Sequence, residues 1–184
     1  MSSNSWGQTL ISAQTAGTAL TAAAAASALP AAARFSFPPN ALKIGDKFQI
    51  KASGIISCAV TTPGTARFDV RFGSAVVFDS GALNLNIVAK TSVPWWLDVE
   101  LTVRSIGAST SATIIGQGLW TSEAGIAAPL PSVGGNASFN VPVSGVAVGT
   151  GFDSTASNFI DMFFTQTLAT GSMTLQQFDL VYKT

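Results

Sequence analysis

Val93-Pro94-Trp95-Trp96-Leu97-Asp98-Val99-Glu100-Leu101-Thr102-Val103-Arg104 alternates without a break from Trp95 onward. Trp95, Leu97, Val99, Leu101 and Val103 fall on one side, and Trp96, Asp98, Glu100, Thr102 and Arg104 on the other. Side chains of a strand point to opposite faces in turn, so this stretch reads as a strand with one apolar and one polar face. It is long for a strand and holds two of the four tryptophans. It predicts a central strand of a sheet whose apolar face builds the core. Its polar face is expected to meet another subunit, because Trp96 and three charged residues are concentrated there in a chain that has few charges.

The same period continues to either side. Phe48 and Ile50 alternate with Gln49 and Lys51; Ala66, Phe68, Val70 and Phe72 alternate with Arg67, Asp69 and Arg71; Leu83, Leu85 and Ile87 alternate with Asn84 and Asn86. Ile55 to Thr61 is a further apolar run, with Gly54 before it marking a bulge or a close backbone approach. Ala112 to Trp120 reads as a strand containing Gly116 and Gly118. Phe139, Val141 and Val143 form a short one, which Pro142 assigns to a sheet edge. Phe159 to Leu168 is apolar on both sides, which predicts a strand covered on both faces. In the last strand the apolar phase slips by one at Gln176-Gln177, the mark of a bulge. Turns are signalled at Ile44 to Lys47, Thr62-Pro63-Gly64-Thr65, Gly73-Ser74 and Asp79-Ser80-Gly81, and loops at 124–136 and 148–158. About eight or nine short strands, with no amphipathic helical stretch after residue 34, predict an all-β jelly roll or β-sandwich.

Residues 1–34 have a different composition, rich in Ala, Ser and Thr, with no charged side chain before Arg34. A flexible tail and an extended arm that orders against a partner subunit are the two readings. Trp6, Leu10, Ile11, Leu20 and Leu29 are spaced apolar anchors that a linker does not need, so the arm is preferred. The division expected is an arm over 1–34 and a β domain over 35–184, which is long enough for one core.

Composition excludes more chemistry than it offers. Charged residues are 10% of the chain, 9 basic and 9 acidic, against about 25% in an ordinary soluble domain. A surface so poor in charge is weakly protected against association, which favours a permanent oligomer. No basic run exists to neutralise phosphates, so no nucleic acid is expected as a partner. The chain has no histidine and one cysteine, Cys58, which removes the commonest general base, the commonest metal ligand and any cysteine-based zinc site. Thr, Ser and Pro30 interrupt the stretch from Ala16 to Ala33, so no membrane partner is expected either. Asp98 and Glu100 share a face in the way glycosidase carboxylates or Ca²⁺ ligands would, but Arg104 and the Arg67-Asp69-Arg71 row offer them ion-pair partners. Asp153-Ser154-Thr155, with Asp161 nearby, reads as turn chemistry. Gly116-Gln117-Gly118 opens no helix and cannot hold a phosphate. Asn136-Ala137-Ser138 matches a glycosylation sequon that no secretion signal supports. No catalytic residue, metal ligand or cofactor is expected. Trp96 and Trp120 are the aromatics available to stack on a sugar, with packing in a subunit interface as the competing role for Trp96.

Three segments carry a resemblance. They are Ile44-Gly45-Asp46-Lys47-Phe48-Gln49-Ile50-Lys51-Ala52-Ser53-Gly54, the central Val93 to Gly107, and Gly149-Thr150-Gly151-Phe152-Asp153-Ser154-Thr155. With the turn at Thr62 to Thr65 they resemble the jelly-roll structural proteins of tailed-phage virions, from about residue 8 onward. The shared motifs are structural and imply no active site. The resemblance implies a homotrimeric jelly roll similar to the tumour-necrosis-factor fold. Such a protein would sit on the capsid surface or in the tail, as a decoration or cement protein bound to the major capsid protein or another virion protein. On that reading Trp6, Leu10, Leu20 and Leu29 contact the capsid or partner, and Trp96, Asp98, Glu100, Arg104, Phe163 and Phe164 form the oligomer interface. The alternative it implies is a tail-fibre or spike head that binds host glycans through loops 124–136 and 148–158.

Overall fold

A computed structural model describes residues 6–59, 64–126, 137–149 and 151–184. In chain order its strands are β1 (Gly7–Ser12), β2 (Ala26–Ser27), β3 (Phe35–Phe37), β4 (Lys47–Cys58), β5 (Thr65–Phe72), β6 (Ala75–Asp79), β7 (Leu83–Asn84), β8 (Lys90–Ser105), β9 (Thr113–Ser122), β10 (Ala137–Val141), β11 (Asn158–Gln166) and β12 (Ser172–Lys183). Nine of these have five residues or more. They form two antiparallel sheets. Sheet A runs β1-β12-β4-β8-β9-β10, and sheet B runs β2-β11-β5-β6, with β3 on β11 and β7 on β5. The expected all-β sandwich is the architecture found. The turn at 62–63, Thr150 and residues 127–136 of the expected loop lie outside the described residues.

β8 is the strand quoted above, and it lies inside sheet A between β4 and β9. Its apolar residues Trp95, Leu97, Val99, Leu101 and Val103 are all buried between the sheets. The facing layer of sheet B presents Phe68, Val70 and Phe72 from β5 and Ile160, Met162 and Phe164 from β11, also buried. Phe68 is the meeting point: its ring lies 5.0 Å from Trp95, 6.2 Å from Trp120 and 5.3 Å from Phe164. A second aromatic group closes the other end, with Phe48 packed 5.4 Å from both Phe37 and Phe72, and Phe72 5.1 Å from Phe152. Each such pair adds about 0.5–1.5 kcal/mol beyond the area it buries.

Local sequence details fall where period and turn chemistry place them. Gly54 is the close-approach glycine: a Cβ there would sit 2.0 Å from the Thr174 carbonyl oxygen. Beside it the β12 register slips between Leu175 and Gln177, the bulge read from the phase change. β10 is an edge strand that ends before Pro142. The turn before β4 is tied by Asp46, a buried carboxylate that accepts from the Lys43 amide at 2.7 Å and from the Tyr182 hydroxyl. Burial and that carboxylate both raise the Tyr182 pKa.

Two expectations are corrected. First, residues 7–34 do not extend away as an arm; they are woven into the chain's own sandwich. β1 pairs with β12. The Ala13, Gly17 and Leu20 amides then donate to the Phe178, Leu175 and Met173 carbonyls at 2.8, 2.9 and 2.8 Å. The chain next crosses to sheet B, where the Ala28 amide reaches the Met162 carbonyl at 2.8 Å. Leu29 and Ala33 are buried in the core, and Leu10 and Leu20 pack against it. The apolar spacing is real, but it serves the β12 and β11 edges, which would otherwise present unpaired backbone. Second, Phe164 belongs to the core and is not free to meet another subunit.

Removing residues 1–34 is therefore expected to lower the urea midpoint at least as far as Leu29→Ala, which should cost about 2–5 kcal/mol. An unchanged midpoint would show that the segment is no part of the fold. Phe68→Ala, at the meeting point of four rings, is expected to cost about 3–5 kcal/mol in the same measurement.

Candidate binding face

The outer face of sheet A follows from the register of its strands. Trp96 lies opposite Ser53 on β4 and Thr121 on β9; Asp98 lies opposite Lys51 and Leu119; Glu100 lies opposite Gln49 and Gln117. The row continues outward, with Gln177 opposite Ser53, Asp179 opposite Lys51 and Asn140 opposite Leu119. Because the inner residues of these strands are locked between the sheets, these side chains have nowhere to point but outward.

Trp96 is 61% exposed and Leu119 45%. They sit in a depression of about 320 Å³ that is also lined by Lys51, Ser53, Asp98, Thr121, Gln177 and Asp179. One flat aromatic surface ringed by hydroxyl, amide, carboxylate and ammonium groups suits an amphipathic ligand with an apolar face and polar edges. A second depression, of about 460 Å³, is lined by Glu100, Thr102, Arg104, Ile115, Gln117, Asn140 and Val146.

The charges on this face are partly engaged within it. Lys47 Nζ donates to Glu100 at 2.6 Å, Lys183 lies 3.9 Å from the same carboxylate, and Gln49 donates to Asp98 at 3.2 Å. Ser12 donates to Asp179. Lys51 and Arg104 make no ion pair among the described residues. The expected partners of Asp98 and Glu100 were thus misplaced: they come from β4 and β12, while the Arg67-Asp69-Arg71 row lies on the opposite sheet. No group of three or more His, Cys, Asp and Glu gathers to hold a metal ion among the described residues.

The charges on the outer face of sheet B pair with one another. Arg67 Nε donates to Asp79 at 2.7 Å and Arg71 Nε to Asp69 at 2.6 Å. Arg34 lies 3.1 Å from Asp161, which also accepts from Ser27 at 2.7 Å. Burial pushes the Asp161 carboxyl up, against the hydrogen bond from Ser27 and the charge of Arg34. Asp79 goes the other way: burial raises it, but the hydrogen bond and charge of Arg67 together with the Gly81 amide bring it down. The Arg71 guanidinium lies over the Phe163 ring at 3.7 Å. Phe163, expected in an oligomer interface, is thus roofed by its own chain.

The remaining candidates separate clearly. Trp120 is fully buried and unavailable to a sugar. Trp6 is 71% exposed at the end of β1. Loop 148–158 is fastened to the sandwich: the Phe152 amide bonds the Ala112 carbonyl at 2.9 Å, Ser154 is buried against Gly107, and Asp153 accepts from the Thr155 amide at 2.8 Å. Cys58 is buried, which raises its thiol pKa. Leu119, Thr121, Ser53 and Gln177 were not read as binding residues in the sequence. Leu119 left a trace, since it is an apolar residue in phase with Gln117.

Trp96→Ala removes no packed contact of the core and is expected to change stability by less than about 0.5 kcal/mol. In the folded protein acrylamide should quench Trp6 and Trp96 but not Trp95 or Trp120, and Trp96→Ala should remove much of the quenchable emission. Full protection of Trp96 would show that the face is covered.

No family model and no curated protein matches the chain. Among solved structures it is similar to the CBM2 module of Lactobacillus casei BL23 phage J-1 evolved Dit, at 14% identity and a TM-score of 0.34, over 82% of this chain and 68% of that one. The likeness is loose, and no residue role is transferred through it.

Proposed function

We propose that the chain is a non-enzymatic virion protein of a tailed phage that binds glycans on the outer face of sheet A. The virion assignment rests on the sequence resemblance given above. The binding assignment rests on one observation: the exposed Trp96 ring beside Leu119, in a depression ringed by Ser53, Thr121, Gln177, Asp98, Asp179 and Lys51. A sugar ring offers an apolar C–H face to an aromatic plane, and its hydroxyls exchange water for the polar rim. Such a site needs no catalytic group. The face carries too much polar and charged surface to match the apolar centre of an obligate subunit contact.

A second reading is a homotrimeric decoration or cement protein on the capsid surface. The low charge of the chain favours it, as do the exposed Trp6, Ile44, Ile106 and Phe159 outside the depression. Sedimentation distinguishes the two: the trimer reading expects a threefold assembly at micromolar concentration, and a monomer overturns it.

The glycan reading is tested on an array of soluble and immobilised glycans with the full chain. Binding is expected, and Trp96→Ala should weaken it at least tenfold, which corresponds to about 1.4 kcal/mol. Absence of any bound glycan, or equal binding by the variant, would overturn it.

A further inference from the structure

The two depressions on sheet A adjoin along the strands. Asp98 and Leu119 line the first, and Asn140, which lies opposite Leu119 in the same row, lines the second. The next row, Glu100 opposite Gln117, belongs to the second. These rows are two residues apart, about 7 Å at the rise of a strand. Together they make a groove along β8 and β9 from Trp96 to Arg104, about 26 Å, with Val146 also lining its second part.

Resting on the glycan-binding reading, we infer that this groove takes an internal stretch of an unbranched, uncharged polysaccharide. One sugar stacks on Trp96, and the following units run past Asn140 and Gln117 towards Thr102. The length argues for several consecutive units: a site for a terminal sugar needs only the Trp96 depression, and the second would then be idle. The lining charges nearly cancel, Asp98, Asp179 and Glu100 against Lys51 and Arg104 with Lys47 on Glu100, so the path offers no one-signed field to an acid group on every unit and suits a neutral ligand. Lys47 engages Glu100 at 2.6 Å, and Arg104 lines the far part of the groove beside Thr102.

The test uses the full chain and linear oligosaccharides of glucose, galactose, mannose, rhamnose and N-acetylglucosamine, each from disaccharide to hexasaccharide, with acidic polysaccharides beside them. Affinity for the ligand series is expected to rise at least tenfold from disaccharide to hexasaccharide. The double variant Gln117→Ala with Asn140→Ala should lose most of that rise while leaving disaccharide binding as it was, and Trp96→Ala should weaken every length. Affinity that is flat beyond the disaccharide, or a double variant equal to the wild type, overturns the groove but leaves the Trp96 site standing. Preference for acidic polysaccharides overturns the neutral assignment. If no oligosaccharide of any length binds, the glycan reading itself falls, and the groove with it.

Discussion

The packing of Phe68 against Trp95, Trp120 and Phe164 fixes the rest of the structure. Trp95 and Trp120 lie on neighbouring strands of one sheet, Phe68 and Phe164 on neighbouring strands of the other. Holding these four rings together sets the register of both sheets and the distance between them. A strand has a side-chain period of two, so a slip by one residue would turn Trp95 out and Trp96 in, and would do the same to every residue of β8. The core thus decides which tryptophan is available to a ligand. Trp96 is exposed because Trp95 cannot be.

Parity along each strand was legible in the sequence, and nearly every inward residue of β4, β5, β8 and β12 follows from it. The Gln176-Gln177 bulge and the Gly54 close approach were legible too, because each disturbs a local pattern. Strand order was not. β4 lies beside β8 and β12, not beside β5, so the companions of Trp96 come from Ser53 and Gln177, residues 43 and 81 positions away by sequence number. Local periodicity holds no record of such pairings. The N-terminal segment misled for a related reason. Spaced apolar residues in a charge-free stretch show that something is buried, but not whether the surface that buries them is the chain's own. Phe163 and Phe164 show the same limit: adjacent in sequence, one enters the core and the other lies under Arg71.

The two outer faces differ in how they are finished. On sheet B every arginine has an acidic partner close by, and Phe163 is roofed. That face leaves Phe159 exposed, but its arginines are paired. Sheet A leaves an indole bare and keeps Lys51 and Arg104 outside its ion pairs among the described residues. Exposed ion pairs contribute little to stability, so the two faces differ in which side chains they leave exposed more than in energy. In a chain with so few charges, clustering them around one exposed tryptophan produces a single face able to hold a polar ligand by many weak contacts. Fixed by a rigid sandwich, such a face needs little rearrangement to bind.

The central claim is that the outer face of sheet A, centred on Trp96, is the surface through which the protein works. Amide and indole chemical shifts of the ¹⁵N-labelled chain, followed while a glycan that it binds is titrated in, test this most directly. The account predicts that the Trp96 indole moves first, together with the amides of β8 and β9 from Trp96 to Thr102 and the facing residues of β4. Shifts confined to sheet B around Arg71 and Phe163, or to loop 148–158, would contradict it.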